Sequence, residues 1–183
     1  LGIALLLDRK MPVILRNFFR TSFFFPFVVS GVVVSVIWSF LLNKDLGLIN
    51  YYLGFLGIER INWLLSSTFS PIAVIITDTW KNIGFYILIF LGGLQGISAD
   101  YSEAAEVDGA NSWQKFRKIT LPLLSPTLLF LTVVSTIGAL QIFGQSFVLT
   151  GGGPGDATRT IVMYIYEQGF RSFDMGYAAV LSI

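Results

Sequence analysis

From Phe23 to Leu42 the chain runs for twenty residues without a charge, and this run constrains the fold more than any other feature. As a helix it would measure about 30 Å, enough to cross the hydrocarbon core of a bilayer. Pro26 falls in its first turn, where a missing N–H costs least, and Trp38 near the far end suits an interfacial anchor. A second run, Ile72 to Leu94, carries only Asp78 and Lys81 as charges. A third is entered at Leu121-Pro122, has Pro126 early, and continues as an uncharged, mainly apolar run from Leu128 to Val134. Complete spans are therefore predicted at about 23–42, 72–94 and 123–148, with a polar loop at about 95–120 between the last two. Of 183 residues, 54% are apolar, 15% aromatic and 13% charged, and the mean hydropathy is +0.73. That is too little polar surface for a soluble domain. The expected fold is a single all-α polytopic transmembrane helical bundle over residues 1–183.

Basic residues orient it. Asp8 to Arg20 holds Arg9, Lys10, Arg16 and Arg20, with Pro12 marking a turn, and short basic loops of this kind stay in the cytoplasm. The 95–120 loop adds Lys115, Arg117 and Lys118 on the same side. Asn43 to Pro71 and Thr150 to Asp174 then lie outside, with four Lys or Arg against seven in the two shorter internal loops. Gly47, Gly54 and Gly57 mixed with Tyr51, Tyr52 and Trp63 make the first external stretch read as short amphipathic pieces at the interface. Both ends look cut. Leu1 to Leu7 is apolar but too short to span, with no initiator Met or cleavage site, and the run from Met175 stops at Ile183. The expectation is an internal fragment truncated at both ends.

Two sets of polar residues inside the spans are candidate functional groups. Asp78 and Lys81 stand three apart on one helical face, where each lowers the other's cost of entering the membrane, and so form a candidate intramembrane ion pair. The same residues, near the external surface, would instead snorkel or pair with a neighbouring subunit. Gln141 and Gln145 fall four apart on one face, with Gly138 in line and Phe143 and Phe147 close by. Amides pair with hydroxyls and aromatic faces stack on ring C–H groups, which suits a sugar pathway; interhelical hydrogen bonding is the other open reading. Trp80, Tyr86, Gln141 and Gln145 are the candidate pathway residues.

The loop itself has an internal logic. Ser98 can cap a helix from Ala99 to Val107, Asp100 and Glu103 suit its positive end, and Gly109 supplies a flexible residue beyond it. Tyr101, Ala104, Ala105 and Asp108 share a face on which the two alanines admit a neighbouring surface. Asn111 or Ser112 then caps a second short helix, with Lys115, Arg117 and Lys118 near its negative end. An ordinary solvated loop with some helical content is the plainer reading of alanines and acidic residues alone.

Glu103-Ala104-Ala105, three residues, Gly109, nine residues, then Ile119-x-Leu121-Pro122 is the EAA pattern with all seven specified positions in place. It resembles the cytoplasmic loop of the permease subunits of ABC importers. Leu46-Gly47-Leu48-Ile49-Asn50, Trp80 to Leu94, Leu149-Thr150-Gly151-Gly152-Gly153-Pro154 and Gly176-Tyr177-Ala178-Ala179 extend the likeness to carbohydrate importers, including the maltose/maltodextrin and glycerol-phosphate branch. So do Leu5 to Lys10 and Phe18 to Thr21. The resemblance implies the type I ABC importer permease fold, in the cytoplasmic (inner) membrane, with the outer helices missing here and the total span count open. It implies ATP-binding cassette subunits, a second permease subunit that is commonly a different chain, and an extracytoplasmic solute-binding protein as partners. Carried over, Glu103 would pair with a basic residue of the ATPase, Ala104 and Ala105 would fit its cleft, and Gly109 would permit the turn. Leu121 and Pro122, after Ile119, would start the helix that transmits the motion.

Other classes find little support. The Gly151–Gly155 segment lacks the Gly-Lys-Ser/Thr of a phosphate-binding loop, so ATP hydrolysis is expected on another polypeptide and no cofactor is implied. Without Cys or His there is no thiolate chemistry and the commonest metal ligands are missing, and no catalytic set marks an enzyme. A net charge of +1 gives no case for nucleic acid; the surroundings are membrane lipid. A secondary transporter or channel subunit would account for the spans and for Asp78 and Lys81 but not for the complete EAA pattern. A membrane scaffold would account for a docking loop but not for the glutamines.

Overall fold

A computed structural model describes residues 1–8 and 12–183; Arg9 and Lys10 of the basic segment lie outside the described residues. Among these residues the regular structure is helical: α1 (Gly2–Asp8), α2 (Val13–Val28), α3 (Gly31–Leu41), α4 (Leu48–Phe55), α5 (Phe69–Gln95), α6 (Ala99–Val107), α7 (Ser112–Lys115), α8 (Leu121–Leu123), α9 (Ser125–Leu140), α10 (Gly144–Leu149), α11 (Ile161–Tyr166) and α12 (Met175–Leu181). Two π-helical turns, Phe116–Thr120 and Glu167–Arg171, join α7 to α8 and extend α11. The chain forms two compact units, residues 1–28 with 82–136 and residues 29–81 with 137–183.

In the first unit, Ile87, Leu91 and Leu94 repeat at helical spacing and pack one stripe of α5 with Ala4 and Leu7 of α1 and with Leu124, bordered by Phe19 and Phe23. Lipid is as apolar as leucine, so excluding it gains little, and close atomic packing has to hold such helices together. Gly84 shows how close the packing is. A Cβ there would stand 1.9 Å from the main-chain oxygen of Phe23 and 2.7 Å from Cα of Phe24, so α5 meets the backbone of α2 directly. Beside this contact Phe27 stacks on Phe85 with ring centroids 5.1 Å apart.

In the second unit several buried polar groups are satisfied locally. Ser35 and Thr77, both fully buried, donate to the carbonyls of Gly31 and Ala73 one turn back in their own helices, each at 2.8 Å. Asn50, also buried, is the hub of the segment after α3. Its amide nitrogen donates to the carbonyls of Asn43, Lys44 and Ile61. Its oxygen accepts from the Ile61 N–H and from Nε1 of Trp63, each at 3.1 Å. One side chain thus closes the turn after α3 onto the Ile61–Trp63 segment that leads to α5.

Two expectations of helical continuity are corrected. The 23–42 run is two helices, α2 and α3, separated at Val29 and Ser30. Pro26 lies in the last turn of α2 rather than the first turn of a span, and removes a main-chain hydrogen bond there. Ser30 then adopts φ −53° and ψ 135°, outside helical geometry. The 123–148 run breaks between α9 and α10 at Gln141–Phe143, where Phe143 takes φ −134° and ψ −60°. α5 and the Ser125–Leu149 stretch, at 27 and 25 residues, are long and apolar enough to cross a membrane, and the α2–α3 pair would make a third, broken span.

The Gly84 contact yields a paired prediction. Gly84→Ala overpacks the α2–α5 crossing, at a cost of about 1–3 kcal/mol, and is expected to lower the thermal unfolding midpoint in detergent by several degrees. Gly92→Ala, on the same helix, would meet nothing within 4 Å and gains helix propensity, about 1 kcal/mol. Its midpoint is expected to be unchanged or higher.

Candidate functional site

The EAA segment folds in the first unit as the sequence predicts, helix then turn then helix. The Ser98 hydroxyl accepts from the Asp100 N–H at 3.3 Å and caps α6. Asn111 and Gln114 form a reciprocal capping box at the start of α7, each side-chain oxygen accepting from the other's main-chain N–H at 2.9 and 2.8 Å. Between the helices Gly109 has φ +75°, the left-handed region that a side chain disfavours, in otherwise open space. The Ala110 N–H reaches back to the Ala105 carbonyl at 2.9 Å and closes the turn.

Exposure separates the pattern residues. Glu103 and Ala104 are exposed, whereas Ala105 is the buried residue of α6, turned into its own chain. Of the two alanines assigned to a partner's cleft, only Ala104 is open to a partner. Ile119 is half-buried in the first π-turn, and Leu121 and Pro122 open α8, with Pro122 exposed. The π-turns were not legible in the sequence. A cavity of about 690 Å³ lies alongside α7, lined by residues that include Leu5, Ser102, Trp113, Lys115 and Phe116.

The second unit holds Asp78, Trp80, Lys81, Gln141 and Gln145, while Tyr86 belongs to the first, edge-on to Phe85. The two glutamines do not share a helical face, because the break at Gln141–Phe143 separates them. Gln141 is exposed at the end of α9, whereas Gln145, half-buried in α10, donates from Nε2 to Oδ1 of Asp78 at 2.9 Å. The Lys81 side chain passes within 3.5 Å of a Cβ built at Gly31, and Gln145 Nε2 lies 3.9 Å from the same point. Asp78, Lys81 and Gln145 therefore form one polar locus beside α3. Trp80 packs edge-on against Trp38 at 5.8 Å.

Phe143 and Phe147 stack at 5.2 Å and meet Tyr166, which stacks in turn on Phe170. The Arg171 guanidinium stands 5.8 Å from the Phe147 ring and 6.0 Å from the Tyr166 ring. The glycine-rich loop after α10 is tied by Thr158, whose hydroxyl bonds Thr150 Oγ1 at 2.5 Å and donates to the Gly153 carbonyl at 3.1 Å. Arg159 beyond it pairs with Glu167 and Asp156 and lies over the Tyr164 ring. The hydrogen bond and charge of Glu167 raise the Arg159 pKa above its ordinary value.

Known proteins resemble this chain along its whole length. The probable ABC transporter permease protein y4oQ of Sinorhizobium fredii is 40% identical, over 100% of this chain and 59% of its own length. The trehalose/maltose transport system permease protein MalF of Thermococcus litoralis is 37% identical, over 100% of this chain and 61% of its own. A subunit in the crystal structure of a bacterial alginate ABC transporter, in complex with an alginate pentasaccharide-bound periplasmic protein, superposes with a TM-score of 0.88 at 26% identity. That match covers 98% of this chain and 63% of the other. The chain thus spans about three-fifths of the relatives it matches. The family described as binding-protein-dependent transport system inner membrane component matches residues 1–183, and the chain belongs to that family.

Proposed function

We propose that this chain is part of the permease subunit of an ABC importer for sugars or oligosaccharides, with α6 as the helix that engages a separate ATPase. The observation that carries this reading is the complete EAA pattern, folded as a capped helix, a glycine turn and a second capped helix between α5 and α9. Both neighbours belong to stretches of membrane-crossing length. The relatives named above, a trehalose/maltose permease and an alginate importer, favour a saccharide. In this arrangement residues 95–120 face the cytoplasm and residues 43–71 and 150–174 the opposite side. A solute-binding protein delivers the sugar there, and a second permease subunit, a different chain, completes the pathway.

The mechanism is alternating access driven from the loop. ATP-dependent closure of the ATPase pair moves α6 of each permease. The motion passes through α7 and the π-turn at Phe116–Thr120 into α9, and changes which side of the pathway is open. Gln141 and Trp80 are exposed in the second unit and line the pathway. Gln145, already committed to Asp78, holds α10 in place and contributes to the pathway indirectly.

Two outcomes test this. Affinity purification of the intact parent chain from its host is expected to bring down a P-loop ATPase, a second EAA-bearing permease and a sugar-binding protein. Gly109→Val, which forces a β-branched residue to positive φ, is expected to abolish uptake while membrane insertion persists; recovery of the chain alone, or normal uptake by that variant, would count against the reading. In uptake assays Gln141→Ala is expected to raise KM at least tenfold with an unchanged unfolding midpoint. Gln145→Ala, which removes the Gln145–Asp78 hydrogen bond, is expected to lower the midpoint as well.

A further inference from the structure

Glu106 is not one of the specified positions of the EAA pattern, yet it makes a close ion pair within the segment. Its Oε1 lies 2.5 Å from Nζ of Lys115. The same ammonium is 3.5 Å from the Ser102 hydroxyl. Ser102 and Glu106 are four apart, one above the other on α6, so Lys115 reaches across the Gly109 turn and touches α6 at two points one turn apart. Two points along one face define how a helix is rotated about its own axis, which one point does not.

α6 itself is largely exposed. Ala105 is its buried residue, and a cavity rather than packed side chains lies beside Ser102 and Lys115. The turn behind it pivots on a glycine at φ +75°. Glu106 also sits in the last turn of α6, where no basic residue of the helix offsets the negative end of its dipole. An acidic group is disfavoured there unless a cation is brought to it. Lys115 brings one from the final residue of α7, where a cation is favourable for α7 as well. Its side chain is 21% exposed against 63% for Glu106, so the lysine is the sheltered, fixed partner.

We propose that Lys115 is a positioning residue that clips α6 to α7 through Glu106 and Ser102, so that force on α6 enters the π-turn at Phe116 rather than dissipating in the Gly109 turn. The proposal rests on the reading of α6 as the ATPase-engaging helix. An ion pair whose carboxylate is open to solvent contributes little to stability, too little to decide whether the loop folds. The clip sets orientation, and its loss should separate hydrolysis from transport without unfolding the chain.

The test uses the intact parent chain assembled with its partners in proteoliposomes, reading solute transported per ATP hydrolysed. Glu106→Lys and Lys115→Glu are each expected to lower that ratio at least fivefold, with ATPase co-purification and unfolding midpoint retained. The double exchange is expected to restore the ratio to within twofold of the unsubstituted complex. Undiminished ratios in the single variants, or no recovery in the double, would overturn the clip. Should either reversal fail to accumulate, Glu106→Gln and Lys115→Gln carry the same expectation. Spin labels at Val107→Cys and Arg117→Cys, both exposed positions, read the geometry independently of transport. Their distance distribution should broaden in Glu106→Gln and narrow again in the double exchange; an unchanged width overturns the clip. A complex that hydrolyses no ATP would count against the importer reading, while the label distances still decide the clip.

Discussion

The contact on which the first unit depends is the crossing of α5 over α2 at Gly84, where backbone meets backbone with no room for a methyl group. In water such a pair would be held by excluding solvent from Phe23, Ile87 and Leu91, at about 25 cal/mol per Å². In a bilayer that term nearly vanishes, because lipid and side chain are equally apolar. Dispersion remains, and it falls off steeply once a radial gap of an ångström opens. A glycine that brings two helices into direct contact is therefore more valuable here than another leucine. At Gly93 the close neighbours are instead side chains, those of Leu124 and Thr127.

The opposite problem, polar groups in apolar helices, is solved residue by residue in the second unit. Ser35 and Thr77 bond their own helix backbone, so they cost little and commit to no distant partner. Asp78 and Gln145 take the other course and bond across 67 residues of sequence. A half-buried carboxylate with an amide donor and a lysine nearby restricts where α10 can sit, whereas a leucine at 145 would restrict nothing. Asn50 does the same for the segment after α3, and accounts physically for the asparagine that closes the Leu46–Asn50 motif.

The helix breaks give the transport reading its mechanical content. α9 ends at Leu140 and α10 begins at Gly144, so Gln141, proposed to line the pathway, lies at an interruption in a membrane-length stretch. Irregular backbone at membrane depth is tolerated only where it is buried in protein or lines a water-filled cavity. Between α5 and α9, α6 is exposed at every residue but Ala105. An exposed helix of this kind can move as a unit under the push proposed for the ATPase.

What the sequence determined by itself is whatever depends on residues a few positions apart. The apolar lengths, the Ser98 and Asn111 caps, the glycine turn at 109 and the helix from Ala99 to Val107 were legible because each is a local backbone requirement, met by the side chain beside it. Tertiary structure decided the rest. It placed Pro26 at the end of α2 and split the 23–42 run at Val29–Ser30. It parted Gln141 from Gln145 and gave Gln145 to Asp78. It turned Ala105 inward while leaving Ala104 exposed, and set Gly84 against the backbone of α2 where the sequence shows only one more glycine in an apolar helix. Periodicity assigns a residue to a face of a helix, but it cannot say what the face meets or where a neighbouring helix presses hard enough to require a glycine or interrupt the ladder of hydrogen bonds.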